Sequence, residues 1–420
     1  MTRAVPASRT AFAAVTTLFF AWGFITANND PLIAALKKLY TLNDVEAQVT
    51  QAAFFLGYAL FSIPAAALLS RLGAAKSILA ALALMVAACL LVPVASAVQT
   101  YLLVLFALFV MASGITTLQV AANPLAAALG VPERTHVRLL LAQSFNSLGV
   151  VLGVQLGSSV MLSGDIFKND VVVSTVAERA RGLVQVDRAF LIIAAALVAL
   201  MVVLFLLRRT VDAASPPFQT TQSPFAALRS RWATAGAATI FVYVGAEVAI
   251  GSIMILFLHR PDVLGLGYAD AGWYLGWIYW FGALVGRFAG TALLTRVRAT
   301  TLLTIAATCA AAMSAAAFSL SGPAGAYAAL SIGLFNSIMF PTIFTLTLER
   351  SDAPAAATSG LLCLAIAGGG VLPLVVGAVA RSLSYAASFA VPAAAYLAIL
   401  TFALAARRAR VVGDVPAMAH

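Results

Sequence analysis

The chain has 420 residues, 62% hydrophobic and only 10% charged, where soluble domains carry about a quarter charged residues. That excludes a soluble globular fold and leaves an integral membrane protein. The net charge of +10 raises nucleic-acid binding, but with the N-terminus inside, 16 of the 25 Lys and Arg fall on the inner side and 8 on the outer, with Arg287 within the membrane. The bias follows the positive-inside rule, so the basic balance sets topology, places both termini in the cytoplasm and implies no nucleic-acid partner.

A helix needs about 20 mainly apolar residues to cross the hydrocarbon. Twelve stretches qualify, at about 11–36, 47–69, 75–96, 101–129, 138–162, 189–207, 233–258, 268–294, 301–320, 323–348, 355–380 and 385–406. A transmembrane β-barrel would show short alternating segments, and none occurs.

The first span is preceded by Arg3 and Arg9. A cleaved signal peptide is the alternative reading, but its apolar core runs about 7–15 residues, shorter than this one. Inside the span stands "ITANNDPL", residues 25–32. Trp22, Thr26, Asn29 and Asp30 stand at i, i+4, i+7 and i+8, one helix face. Pro31 lacks an N–H and clashes with the Ala27 carbonyl, which predicts a kink or opening there. Opened backbone at such depth is tolerated where it lines a cavity.

The fourth span carries Gln119 and Asn123 at i, i+4 before Pro124, and the fifth carries Gln143 and Asn146 at i, i+3. Such amides serve either as interhelical bonds or, gathered with a carboxylate, as partners for a polyhydroxylated ligand. Residues 208–232, rich in Pro, Ser and Thr, read as a cytoplasmic linker between six-helix halves at 1–207 and 233–420.

The halves repeat. A shift of 217 residues sets Asp30 on Glu247, Gln119 on Asn336 and Pro124 on Pro341. Asp30 and Glu247 are the acids placed deep in the spans, where a charge costs about 3 kcal/mol and marks a pathway or proton relay. For Glu247 the competing reading is a structural pair with Arg287. The eighth span reads "WYLGWIYWFG"; Trp273 and Tyr274 suit an interfacial belt, while Trp277, Tyr279 and Trp280 lie deeper and are candidates to face the ligand. His136 and His259 are expected in solvated loops, and Cys89, Cys309 and Cys363 as small core residues. No nucleophile constellation, metal-ligand cluster or phosphate loop is present in the sequence, so no enzyme activity, metal or cofactor is expected.

With "FFAWGFITANND", "LQVAANP", "LAQSFNSLG", "YVGAEVAIGS", "GLFNSIMFPTIFTL" and "AIAGGGVLPL", the chain resembles the fucose, galactose and glucose/proton symporter family of the major facilitator superfamily. The resemblance implies twelve transmembrane helices in two pseudo-symmetric halves, alternating access, and a sugar site near the midplane. It implies that Asp30 carries the coupling proton and that Gln143 and Asn146 contact sugar. Gln119 stands where the fucose transporters have a glutamate, as in the glucose/galactose branch.

The expectation is therefore a monomeric bacterial inner-membrane importer of a hexose, glucose or galactose first, by proton symport. Asp30 and Glu247 are assigned to proton coupling, and Trp22, Asn29, Gln119, Asn123, Gln143, Asn146, Trp277, Tyr279, Trp280 and Asn336 to substrate. The alternatives are sodium as coupling ion, fucose, mannose or N-acetylglucosamine as cargo and, more distantly, drug efflux.

Overall fold

The computed structural model describes residues 4–42, 44–130, 134–161, 166, 173, 175–215, 225–266 and 268–412. These are almost entirely helical, and eleven helices among the described residues are long and apolar enough to cross a membrane. The helices are α1 (Ala4–Ala27), α2 (Asn29–Leu39), α3 (Asp44–Leu72), α4 (Ala74–Val98), α5 (Tyr101–Ala128), α6 (Thr135–Met161), α7 (Val176–Ala214), α8 (Arg231–His259), α9 (Tyr268–Tyr274), α10 (Phe281–Leu293), α11 (Ala299–Ser319), α12 (Gly322–Asn336), α13 (Met339–Arg350), α14 (Ala355–Leu364), α15 (Gly368–Ser382), α16 (Tyr385–Ser388) and α17 (Ala390–Arg408).

Pro64, Pro93, Pro124 and Pro373 lie inside continuous helices, whereas two proline-bearing spans break close to the proline. The first is interrupted at Asn28, between α1 and α2, next to Pro31. The tenth is interrupted at Ser337–Ile338, ahead of Pro341. The span expected as one helix over 268–294 is instead α9, a π segment at Leu275–Trp280, and α10. Single π turns inside helices recur at functional sites.

One boundary differs from expectation at both ends. α7 spans 39 residues, about 58 Å at 1.5 Å per residue, and runs into the stretch expected as linker. Its start is held by a capping box between Thr175 and Glu178, and by Arg179, which donates to the Leu39 carbonyl at 3.0 Å and lies over the Tyr40 ring. Near its end Val211 is fully buried, and Asp212 accepts from the Ala75 amide at the α4 N-terminus at 3.4 Å. A buried valine and a carboxylate on a free helix N–H give the helix reason to continue.

The chain divides into two compact units, Met1–Leu129 with Phe145–Gln222, and Gly130–Ser144 with Ser223–His420. In the first, α4 packs on α5 and α7, and α3 on α5. In the second, α11 packs on α12 and α17, and α8 on α13, α15 and α17. α6 is shared: its first turns group with the second unit and the remainder with the first.

Glycines set the closest approaches. Gly149, Gly153 and Gly157 recur every four residues along α6, and a Cβ at each would overlap the Phe20 carbonyl, the Phe24 carbonyl and the Asn28 side chain respectively. This is the small-residue helix contact of membrane proteins, and it seats α6 against α1 up to its break.

Candidate functional site

In the first unit the amides gather around α1. Trp22 is buried, with its ring centroid 4.0 Å from that of Phe19. Asn146 donates from Nδ2 to the Phe19 carbonyl at 3.0 Å, and Asn28 to the Phe24 carbonyl at 2.6 Å. Asn29 is buried beside them. The backbone of Asp30 is in α2, but its side chain lies outside the described residues.

On α5, Gln119 donates from Nε2 to the Tyr58 hydroxyl of α3 at 2.8 Å. Asn123 is fully buried, and neither polar atom of its amide has a hydrogen-bond partner. Leaving such a group unsatisfied costs about 1–3 kcal/mol, which marks Asn123 as an amide in need of an outside partner.

The second unit builds its polar cluster from three elements. Tyr243 of α8 is buried, and its hydroxyl donates towards Glu247 Oε1 at 2.9 Å and the Asn336 carbonyl at 3.0 Å. Asn336 donates from Nδ2 to the Tyr279 hydroxyl at 3.0 Å, and that hydroxyl lies 3.5 Å from the Glu247 carbonyl. Trp280 packs edge-on to Tyr279 and against Gly251 of α8.

The π segment carries both buried and exposed aromatics. Tyr279 is fully buried, whereas Trp277 is 49% exposed and joins Trp273, Phe281, Val285 and Phe288 in an exposed apolar stripe. Trp277 and Tyr279, both candidates to face the ligand, lie on opposite sides of the helix.

Arg287, whose charge acts on Glu247, also has backbone partners. Pro341 cannot donate to the Ser337 carbonyl, and Arg287 Nε supplies that hydrogen bond at 3.0 Å while Nη1 donates to the Gln143 carbonyl at 3.1 Å. Neither bond goes to Glu247. Gln143 is buried in the part of α6 that groups with the second unit, three residues from Asn146 in the first.

His136 also departs from expectation. It opens α6, is largely buried, and lies with Nε2 2.8 Å from Glu349 and Nδ1 2.5 Å from Thr345 Oγ1. The other Glu349 oxygen accepts from Arg350 at 2.9 Å, and its carbonyl accepts from the Val412 amide at 3.0 Å. His259 likewise bonds through Nδ1 to the Leu266 carbonyl. Tyr58 and Tyr243 are the partners sequence reading missed, since a tyrosine in an apolar helix looks like core or belt; their signal was placement one helix from a repeated amide or on the turn before an acid.

Helices long and apolar enough to cross a membrane, with a polar cluster in each of two units, have the form of a membrane transporter. The Major Facilitator Superfamily matches residues 11–370, and the chain belongs to it. It is 37% identical over 394 residues to a glucose/galactose transporter of Brucella abortus, covering 94% of this chain and 93% of that one. It is 30% identical over 409 residues to the L-fucose-proton symporter of Escherichia coli, with 94% and 91% covered. The crystal structure of the Major Facilitator Superfamily transporter FucP in the outward conformation matches with TM-score 0.83 at 27% identity, over 95% of this chain and 99% of that one.

Proposed function

We propose that this chain imports a hexose, glucose or galactose first, by proton symport across a bacterial inner membrane, as a monomer with cytoplasmic termini. Its moving bodies are the halves 1–207 and 233–420, with the linker at 208–232. The observation that carries this reading is the repeated amide–tyrosine pair, Gln119 with Tyr58 and Asn336 with Tyr279, each in a unit that also has an intramembrane acid. Amides and phenols donate to and accept from sugar hydroxyls, and Trp22 and Trp280 offer faces for the C–H side of a ring.

Asp30 carries the coupling. An ionised carboxylate inside the membrane costs about 3 kcal/mol, so protonation with sugar bound leaves the loaded carrier free of that penalty. Labelled glucose uptake into proteoliposomes, competed by unlabelled galactose, fucose, mannose and N-acetylglucosamine, ranks the cargo. Accumulation on an inward proton gradient without sodium is the expected result; accumulation on a sodium gradient alone would overturn proton coupling.

A further inference from the structure

Tyr243 holds one hydroxyl proton between two acceptors, Glu247 Oε1 at 2.9 Å and the Asn336 carbonyl at 3.0 Å. Asn336 is the last residue of α12, at the edge of the break before Pro341. We propose that Tyr243 is a positioning residue that transmits the protonation state of Glu247 to the break in the tenth span. The inference rests on the reading of this chain as a proton-coupled carrier, and it assigns to Glu247 a route to the backbone.

The chemistry follows from the donor count. An ionised carboxylate is the stronger acceptor, so with Glu247 charged the Tyr243 proton sits on Oε1 and the Asn336 carbonyl loses its bond. A protonated carboxyl is itself a donor; its O–H then donates a hydrogen bond to Tyr243 Oη, and the Tyr243 O–H turns to the Asn336 carbonyl. No bond to carbon changes, and one proton enters at Glu247. The groups that act on the Glu247 charge are Arg287 on α10, Tyr279 on the π segment and Tyr396 on α17, together with Tyr243 itself. Arg287 holds the neighbouring carbonyl, that of Ser337, so the break has one fixed clasp and one that follows Glu247. Tyr243 is fully buried, so its hydroxyl itself presents no surface to water.

Hydrogen exchange of the amides of Ser337–Phe340 and Thr342, in the full chain in lipid nanodiscs and corrected for the intrinsic rate, reads the clasp directly. In the unsubstituted protein, protection is expected to be about fivefold higher in mildly acidic than in mildly alkaline buffer, the ratio of one net hydrogen bond. Glu247→Gln, neutral and able to donate, should hold the acidic level at both pH values; Tyr243→Phe should hold the alkaline level at both. A tyrosine that only fills space would lower protection equally and keep the ratio. A Tyr243→Phe or Glu247→Gln protein that retains the pH ratio overturns the proposal. Sugar accumulation by the unsubstituted protein is measured alongside: its absence would count against the transport reading, while the exchange ratios still decide the role of Tyr243.

Discussion

Gln119 on α5 donates its amide to the hydroxyl of Tyr58 on α3 at 2.8 Å. Asn336 on α12 does the same to Tyr279 at 3.0 Å. In each unit an amide of the fourth span is oriented by a tyrosine of the second span, which leaves its remaining polar capacity with a defined direction.

Tyr58→Phe removes the acceptor and frees Gln119 to rotate. The loss of one net hydrogen bond, about 1 kcal/mol, should raise KM for sugar about fivefold with little change in the maximal rate. A double cycle with Gln119→Ala should be non-additive; additive losses in uptake kinetics would mean the pair does not act as a unit.

Much of the fold was legible in advance because apolar length is a strong signal in lipid, and the break near Pro31 was legible because proline chemistry is local. The rest depended on partners distant in sequence. α7 outran its apolar core through the contacts of Val211 and Asp212, and His136 is buried by groups some 200 positions away, Thr345 and Glu349. Trp277 and Tyr279, both candidates to face the ligand, differ in burial because residues two apart on a helix point to opposite sides, and which side is inward depends on packing partners far away in sequence. The assignment of Asp30 comes from its place in the sequence.

Asp30→Asn keeps the size and removes the titrating group. Uphill accumulation on a proton gradient should vanish, while exchange of labelled for unlabelled sugar across the membrane persists. Proton-driven accumulation at the unsubstituted level would remove Asp30 from the coupling route.

Gly153 of α6 faces the Phe24 carbonyl with no room for a Cβ. Gly153→Ala should destabilise by about 1–3 kcal/mol and Gly153→Leu should abolish the folded species, as read by size-exclusion profiles and thermal unfolding in detergent. A Leu variant that elutes and melts like the parent would show that α6 and α1 do not meet here.

His136→Ala strips one of the two cationic or polar partners from a largely buried carboxylate, with Arg350 retained. A loss of about 1–3 kcal/mol should lower Tm by several degrees, and Glu349→Gln in the same background should recover part of it, since the uncompensated charge is then gone. Unchanged unfolding in both variants would return His136 to a solvated surface role.

The π segment at Leu275–Trp280 has an evolutionary consequence. A π turn holds about one residue more than the α turn it replaces, so the segment accommodates one residue beyond an α register. Deleting one codon there would restore an α register and swing every side chain upstream of it by about 100° relative to those downstream. A lineage could thereby change which aromatic the second unit turns inward, and with it the cargo it accepts, without replacing any side chain of the site.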